Sequence, residues 1–190
     1  MSKLFVDEIV HQSSQGSGTI TLGASGETIT TASGAKFSGI TGQNYPAFEA
    51  KRPQSAQVVT DNTNTKVQFS TEIFDTDNCY DNSTNYRFTP TVAGKYWCYG
   101  QTGVYGGGVD RVSQVQTRLK KNGSTVFYNS QDLRNSKGRQ ITSSIGVLID
   151  FNGSSDYLEM HCYIGLINTS GSQITGDSSL TYFGAYKILT

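Results

Sequence analysis

Charge is scarce in this sequence. Only 16 % of its 190 residues are charged, and 15 basic side chains offset 15 acidic ones, for a formal net charge of zero. Nothing there supplies the basic footprint that nucleic acid requires, so no nucleic-acid partner is expected. The same balance offers little repulsion against self-association. No apolar run approaches the roughly 20 residues that cross a bilayer as a helix, so membrane insertion is not expected either. The opening MSKLFVDEIVHQ sets acids and polar residues where a signal peptide needs an unbroken apolar stretch, which predicts synthesis in the cytoplasm without export by that route. Three cysteines (Cys79, Cys98 and Cys162) are too few and odd in number for a disulfide framework, and no CxxC occurs.

Small and hydroxylated residues are plentiful. The 21 Gly, 22 Ser and 22 Thr make up about a third of the chain, beside 11 Tyr and 9 Phe. This composition suits short strands and tight turns and fits long helices poorly. A 20.6 kDa chain can also bury roughly two-thirds of its unfolded surface, so it needs neither disulfide nor metal to fold. The class is all-β.

The chain divides near residue 42. Residues 1–42 contain no Pro, Trp, Tyr or Cys. They open on an apolar cluster (Leu4, Phe5, Val6, Ile9 and Val10), then turn to Gly, Ser and Thr, with GTIT at 18–21 loosely repeated as ETIT at 27–30. So few large apolar side chains make no core, and such a segment orders by packing on its own body, its symmetry mates or a larger particle. Residues 43–190 carry bursts of aromatic and β-branched residues between turn signals. They predict ten strands, at 45–51, 56–60, 66–73, 84–89, 94–102, 111–120, 124–129, 139–151, 156–167 and 181–189. Asn122-Gly123 and Asn152-Gly153 are both hairpin signals. Along 156–164, Leu158, Met160, Cys162 and Ile164 share one face, and Glu159, His161 and Tyr163 the other. Ten short strands make a sandwich or jelly roll.

Catalysis has little support in the residues. A Ser-His-Asp triad would need His161, placed mid-strand and without a G-x-S-x-G elbow; a surface or interface imidazole is the better reading. Cys162, its neighbour, points to the opposite face, and Cys98 and Cys162 read as buried thiols filling core space. Asp75, Asp77 and Asp81 form an oxygen-rich loop with Asn78 and Asn82, a weak calcium candidate without the Gly and distant Glu of an EF-hand.

The run VQFSTEIFDTDNCYDNSTNYRFTPTVAGKYWCYGQ carries a familiar order: Phe69, Asn78, Tyr80-Asp81, Phe88-Thr89-Pro90 and Gly94-Lys95-Tyr96. Downstream come Leu119-Lys120-Lys121-Asn122-Gly123 and a closing TYFGAYKIL, and PAFEAKR opens the body. These residues resemble the globular head of complement component one, subunit q, whose relatives share a ten-strand jelly roll with the tumour necrosis factor superfamily. Cys98 departs from the pattern by standing where a second large aromatic is usual. The resemblance implies a homotrimer built on aromatic side chains around a three-fold axis. The residues expected at that interface are Tyr45, Phe48, Tyr96, Tyr99, Tyr163, Tyr182, Phe183 and Tyr186.

The leader SKLFVDEIVHQSSQGSGTITLGASGETI resembles that of virion proteins of marine tailed bacteriophages. Together the two resemblances imply a trimeric fibre or spike on a virion. Residues 1–42 would dock on other virion proteins through Leu4, Phe5, Val6 and Ile9, and the head would bind a host surface glycan or outer-membrane protein without catalysis. A capsid-decoration or head-fibre protein with a purely structural role is the alternative, and a polysaccharide depolymerase comes third. Recognition is expected in the loops 101–111, 130–140 and 168–180. There Tyr105 with Arg111, or Arg134 with Arg139, would hold a sugar or anionic polymer by stacking and bidentate hydrogen bonds, with Asp110 and Lys137 beside them. No cofactor is expected apart from the calcium candidate.

Overall fold

The structure, a computed structural model, describes residues 46–167, 171–176 and 179–188. The leader 1–42 with Leu4, Phe5, Val6 and Ile9, and also Tyr45, lies outside the described residues. Every regular element described is a strand. One sheet contains β1 (Ala47–Lys51), β2 (Gln57–Val58), β4 (Thr71–Asp75), β7 (Gly94–Tyr105), β10 (Gln140–Phe151), β12 (Gln173–Ile174) and β13 (Tyr182–Lys187). The other contains β3 (Asn64–Lys66), β5 (Tyr80–Asp81), β6 (Arg87–Phe88), β8 (Val112–Lys121), β9 (Ser124–Asp132) and β11 (Leu158–Leu166). All pairings are antiparallel.

In the first sheet β7 lies between β10 and β13, and β1 joins β13 to β4. In the second β8 joins β9 to β11, whose far side takes β6 and β3. Strict alternation explains the sandwich between them. On β7, Tyr96, Cys98 and Val104 are fully buried while Lys95, Trp97 and Tyr99 point the other way; on β11, Leu158, Met160, Cys162 and Ile164 point inward as expected. Aromatic contacts fix the centre. Phe48 stacks on Tyr80 and on Phe88, with ring centroids 4.6 Å apart in each pair, and meets Phe183 edge-on at 5.0 Å. Burying each such phenylalanine contributes about 1.5–3 kcal/mol. The two buried phenols keep their hydroxyls bonded, Tyr80 donating to the carbonyl of Phe69 and Tyr96 to that of Val92. At Cys98 the cross-strand neighbours are Ala185 and Val147, so the smaller inner layer there is matched on both sides.

Two expectations are corrected. The strand expected at 66–73 is two strands, because β3 pairs with β11 in one sheet and β4 with β1 in the other. The chain crosses between layers at 67–70, and Val67 and Phe69 are buried on the way. The short β5 and β12 were not expected, and with that division they give thirteen described strands rather than ten. Asn122-Gly123 does close a two-residue hairpin between β8 and β9, with φ of 51° and 80°. Asn152-Gly153 does not close one: β10 and β11 belong to different sheets. There Asn152 Oδ1 accepts the amides of Ser154, Ser155 and Asp156 and turns the chain from one layer to the other.

Candidate functional site

The outer face of the first sheet is an aromatic surface. Cross-strand register places Ala47, Tyr186, Trp97 and Leu148 in one row, Glu49, Gly184, Tyr99 and Gly146 in the next, and Lys51, Tyr182, Gln101 and Ser144 in a third. The two glycines let large rings lie flat. A Cβ on Gly184 would come within 2.6 Å of the Tyr99 ring, and one on Gly146 within 2.7 Å of the Trp97 ring. Tyr99 packs near Tyr182 and Tyr186 at centroid distances of 6.4 and 6.3 Å, and its hydroxyl donates to Glu49 Oε2 at 3.0 Å. Burial and then the Glu49 charge push the Tyr99 phenol above its ordinary range, so it stays a neutral donor. Leu148 and Phe74 flank the patch, 50 % and 44 % exposed.

Of the residues expected at a subunit interface, Tyr99, Tyr182 and Tyr186 share this face. Phe48, Tyr96 and Phe183 do not: alternation turns them inward, and all three are fully buried in the core. Tyr163 lies on the outer face of the second sheet, opposite Gln116 and Asn64.

The expected recognition loops meet at one end of the sandwich. Gly106 donates to the carbonyl of Arg139, and Arg111 and Val112 both donate to that of Gly138. The aromatic partner differs from the expected one. Arg139, not Arg111, lies over the Tyr105 ring, 5.4 Å from its centroid. Arg111 lies beside Gly108, where an added Cβ would meet its Nε at 2.7 Å. Arg134 is held by Asp132 through Nε and Nη2, and those bonds lower the Asp132 carboxyl to about 2. Asp110, in the left-handed region at φ 55°, joins Asn135, Ser136 and Lys137 around an open pocket of about 290 Å³. Of the third loop, 168–170 and 177–178 lie outside the described residues.

The calcium candidate does not assemble. Asp75 accepts the amides of Asp77 and Tyr80, while Asp77 is bonded by the Thr91 hydroxyl. Asp81 accepts the amides of Ser83, Thr84 and Asn85 and the Asn85 side chain, bonds that hold its carboxyl well below the usual carboxylate range. Each carboxylate shapes its own turn, and no group of three acidic, His or Cys side chains among the described residues could hold a metal.

Comparison of folds gives consistent neighbours. The globular domain of zebrafish complement 1qA protein superposes with a TM-score of 0.55 at 18 % identity, over 76 % of this chain and 97 % of that one. Murine APRIL gives 0.54 at 11 % identity, over 75 % of this chain and 98 % of that one. Eiger TNF from S. frugiperda gives 0.54 at 10 % identity, over 75 % and 92 %. The fold is the complement-q and tumour necrosis factor jelly roll. No family profile and no curated protein sequence matches the chain.

One polar surface escaped the sequence reading. On the outer face of the second sheet His161 and Glu159 are 8 % and 7 % exposed, so the His161 imidazole is covered by its own protomer rather than lying free on the surface. Long neighbours cover them: cross-strand register sets Arg118 and Lys66 beside His161, and Lys120 and Arg87 beside Glu159. Glu159 accepts from Lys66 Nζ and lies 3.2 Å from His161 Nε2. Burial opposes ionisation of Glu159, yet those two bonds hold its carboxyl below the ordinary value. Burial pushes the His161 imidazole below its own, and its Nδ1 is buried without a partner. The signal was present in the 156–164 alternation, but strand periodicity cannot show that neighbouring long side chains close over an outward face.

Proposed function

We propose that this chain is a non-catalytic, homotrimeric binding head on a bacteriophage virion. Residues 1–42 dock it on other virion proteins, and the jelly roll projects outward to engage a host surface glycan or outer-membrane protein. The observation that carries the trimer is the aromatic outer face of the first sheet. Trp97, Tyr99, Tyr182 and Tyr186, all half-buried, form a contiguous aromatic patch with the exposed Leu148 and Phe74, the kind of surface that marks an interaction site. A complementary surface lies at the sandwich edge between β9 and β10, where Phe127 is 45 % exposed and Ile145 and Val147 are only partly covered. The aromatic face of one copy against that edge of the next is a head-to-tail contact, which three copies close into a ring. The fold neighbours support this arrangement, and the leader resemblance supports the virion setting. Three heads on one spike make weak single-site binding sufficient.

Light scattering on the full chain tests the oligomer. A native mass three times 20.6 kDa is expected, and a monomer overturns the trimeric head. Immunogold labelling of purified particles tests the setting. Label on projecting spikes is expected, and unlabelled particles overturn it.

A further inference from the structure

The outer face of the second sheet sets arginine side chains against tyrosine rings. Lys66, Arg87, Arg118 and Lys120 stand on it, with Glu159 and Asp81 cross-strand from Arg87 and Asp132 cross-strand from Gln114. Lys66 is paired with Glu159; among the described residues Arg118 and Lys120 have no carboxylate partner. Each arginine lies against a tyrosine. Arg87 is 4.6 Å from the Tyr157 ring centroid, and Arg118 lies between Tyr128 and Tyr163 at 5.9 and 5.5 Å.

Arg118 is held in place as well as flanked. Its Nε and Nη2 both donate to Gln116 Oε1, which fixes the plane of the guanidinium. Gln116 and Arg118 with Thr125, Val126 and Tyr128 line an open pocket of about 440 Å³. That volume falls in the range of small-molecule sites and suits a ring-sized ligand. Tyr128, with Arg118 on one side of its ring, is still 61 % exposed. A planar, oriented arginine takes a carboxylate through two parallel hydrogen bonds, and an exposed tyrosine beside it offers a stacking surface. Lys120 follows two residues along β8, about 7 Å away, within reach of the next charged unit of a polymer.

We propose that this face binds an acidic polysaccharide, Arg118 taking the carboxylate of a uronic-type sugar and Tyr128 stacking on its ring. The inference rests on the reading of the chain as a binding head and adds to it a surface and a ligand class. The surface is distinct from the aromatic face and from the loop end with Tyr105 and Arg139, and on β9 it uses Tyr128, opposite the outward Arg118, rather than Phe127, opposite the buried Leu119. Nucleic acid fits less well, because the cations of this face are interrupted by Glu159, Asp81 and Asp132 and give a small electrostatic footprint for a phosphate backbone.

The test is calorimetric titration of the full chain with polygalacturonate, neutral dextran, dextran sulfate and oligo-dT, on wild type and on Arg118→Gln, Arg118→Lys, Tyr128→Ser and Lys120→Gln. Saturable binding to polygalacturonate is expected, with none to dextran. Arg118→Gln and Tyr128→Ser should each weaken it at least tenfold, Arg118→Lys nearly as much because the fork is lost, and Lys120→Gln less. Absence of polygalacturonate binding by the wild type, or binding unmoved by Arg118→Gln and Tyr128→Ser, overturns the proposal. Equal or tighter binding to oligo-dT or dextran sulfate also overturns it, in favour of a general polyanion surface. Native mass separates this from the trimer: a trimer that ignores polygalacturonate sinks only the polysaccharide site, and a monomer sinks the oligomer.

Discussion

Tyr99 and Gly184 share one space on the outer face of the first sheet. The tyrosine hydroxyl reaches across to Glu49, and a Cβ on the glycine would meet the ring at 2.6 Å and the carbonyl of Phe48 at 2.9 Å. The backbone contact cannot move aside cheaply. Gly184→Ala should therefore destabilise the fold by about 1–3 kcal/mol and lift Tyr99 away from Glu49. Denaturant unfolding measures the first effect, and native mass measures whether the tilted ring still permits self-association. Unchanged stability would show that the sheet yields there.

Tyr182 and Phe183 are adjacent in sequence and opposite in environment, which separates assembly from folding. Phe183 is fully buried against Phe48 and Phe69. Phe183→Ser should cost about 3–5 kcal/mol or more, the range for emptying a phenylalanine site, with a hydroxyl buried besides. Tyr182→Ser with Tyr186→Ser touches only the outer face and should leave monomer stability within about 1 kcal/mol while dissociating the oligomer. Scattering and thermal melts on the two variants decide it. A double tyrosine variant that keeps its native mass removes that face from the interface.

How much of this was legible beforehand follows from the period-2 rule. Alternation alone puts Leu158, Met160, Cys162 and Ile164 on one face, and the structure buries all four. Applied to 181–189, the same rule puts Phe183 on the opposite side from Tyr182 and Tyr186; grouping all three as interface residues set aromatic content above alternation. The crossover at 67–70 was hidden for another reason. Val67 and Phe69 keep the strand period while the chain changes sheets, and no local pattern records which partner a strand finds. The loop end is legible as composition, since 101–111 is rich in Gly and 130–140 in Ser and Arg. The Tyr105–Arg139 contact was not, because it joins loops far apart in sequence.

His161 gives a pH signature with a definite sign. Its folded value is depressed by burial, with Lys120 and Lys66 acting in the same direction and Glu159 opposing. The unfolded chain therefore binds the proton more readily, so stability is full above the ordinary value near 6.5 and declines as pH falls below it. Glu159, whose folded value is also lowered, acts in a separate and more acidic window. Unfolding free energy should fall between pH 7 and pH 5 by no more than about 1.4 kcal/mol per pH unit from this group. His161→Gln should flatten that slope and His11→Gln should not. An unchanged slope in His161→Gln would assign the effect elsewhere.

The last prediction concerns a hydroxyl pair that ties the two sheets together. Thr102 on β7 and Thr117 on β8 are fully buried, their Oγ1 atoms 2.5 Å apart, and Thr117 donates onward to the carbonyl of Ser143 at 2.8 Å. Since Thr117 gives its proton to Ser143, the bond between the threonines is donated by Thr102. Thr117→Val then takes the hydroxyl donor from the Ser143 carbonyl and leaves the Thr102 hydroxyl only the weak Cys162 thiol as acceptor, at a cost of about 1–3 kcal/mol. Thr102→Val strands only an acceptor lone pair on Thr117, which still has its bond to Ser143, and should cost less. The double variant Thr102→Val, Thr117→Val replaces both partners by apolar groups of the same shape. It should be no worse than Thr117→Val alone, so the two changes are strongly non-additive. A double-mutant cycle by urea unfolding measures this. Simple additivity would mean that the threonines do not act as a pair and that the inter-layer contact there is held by packing.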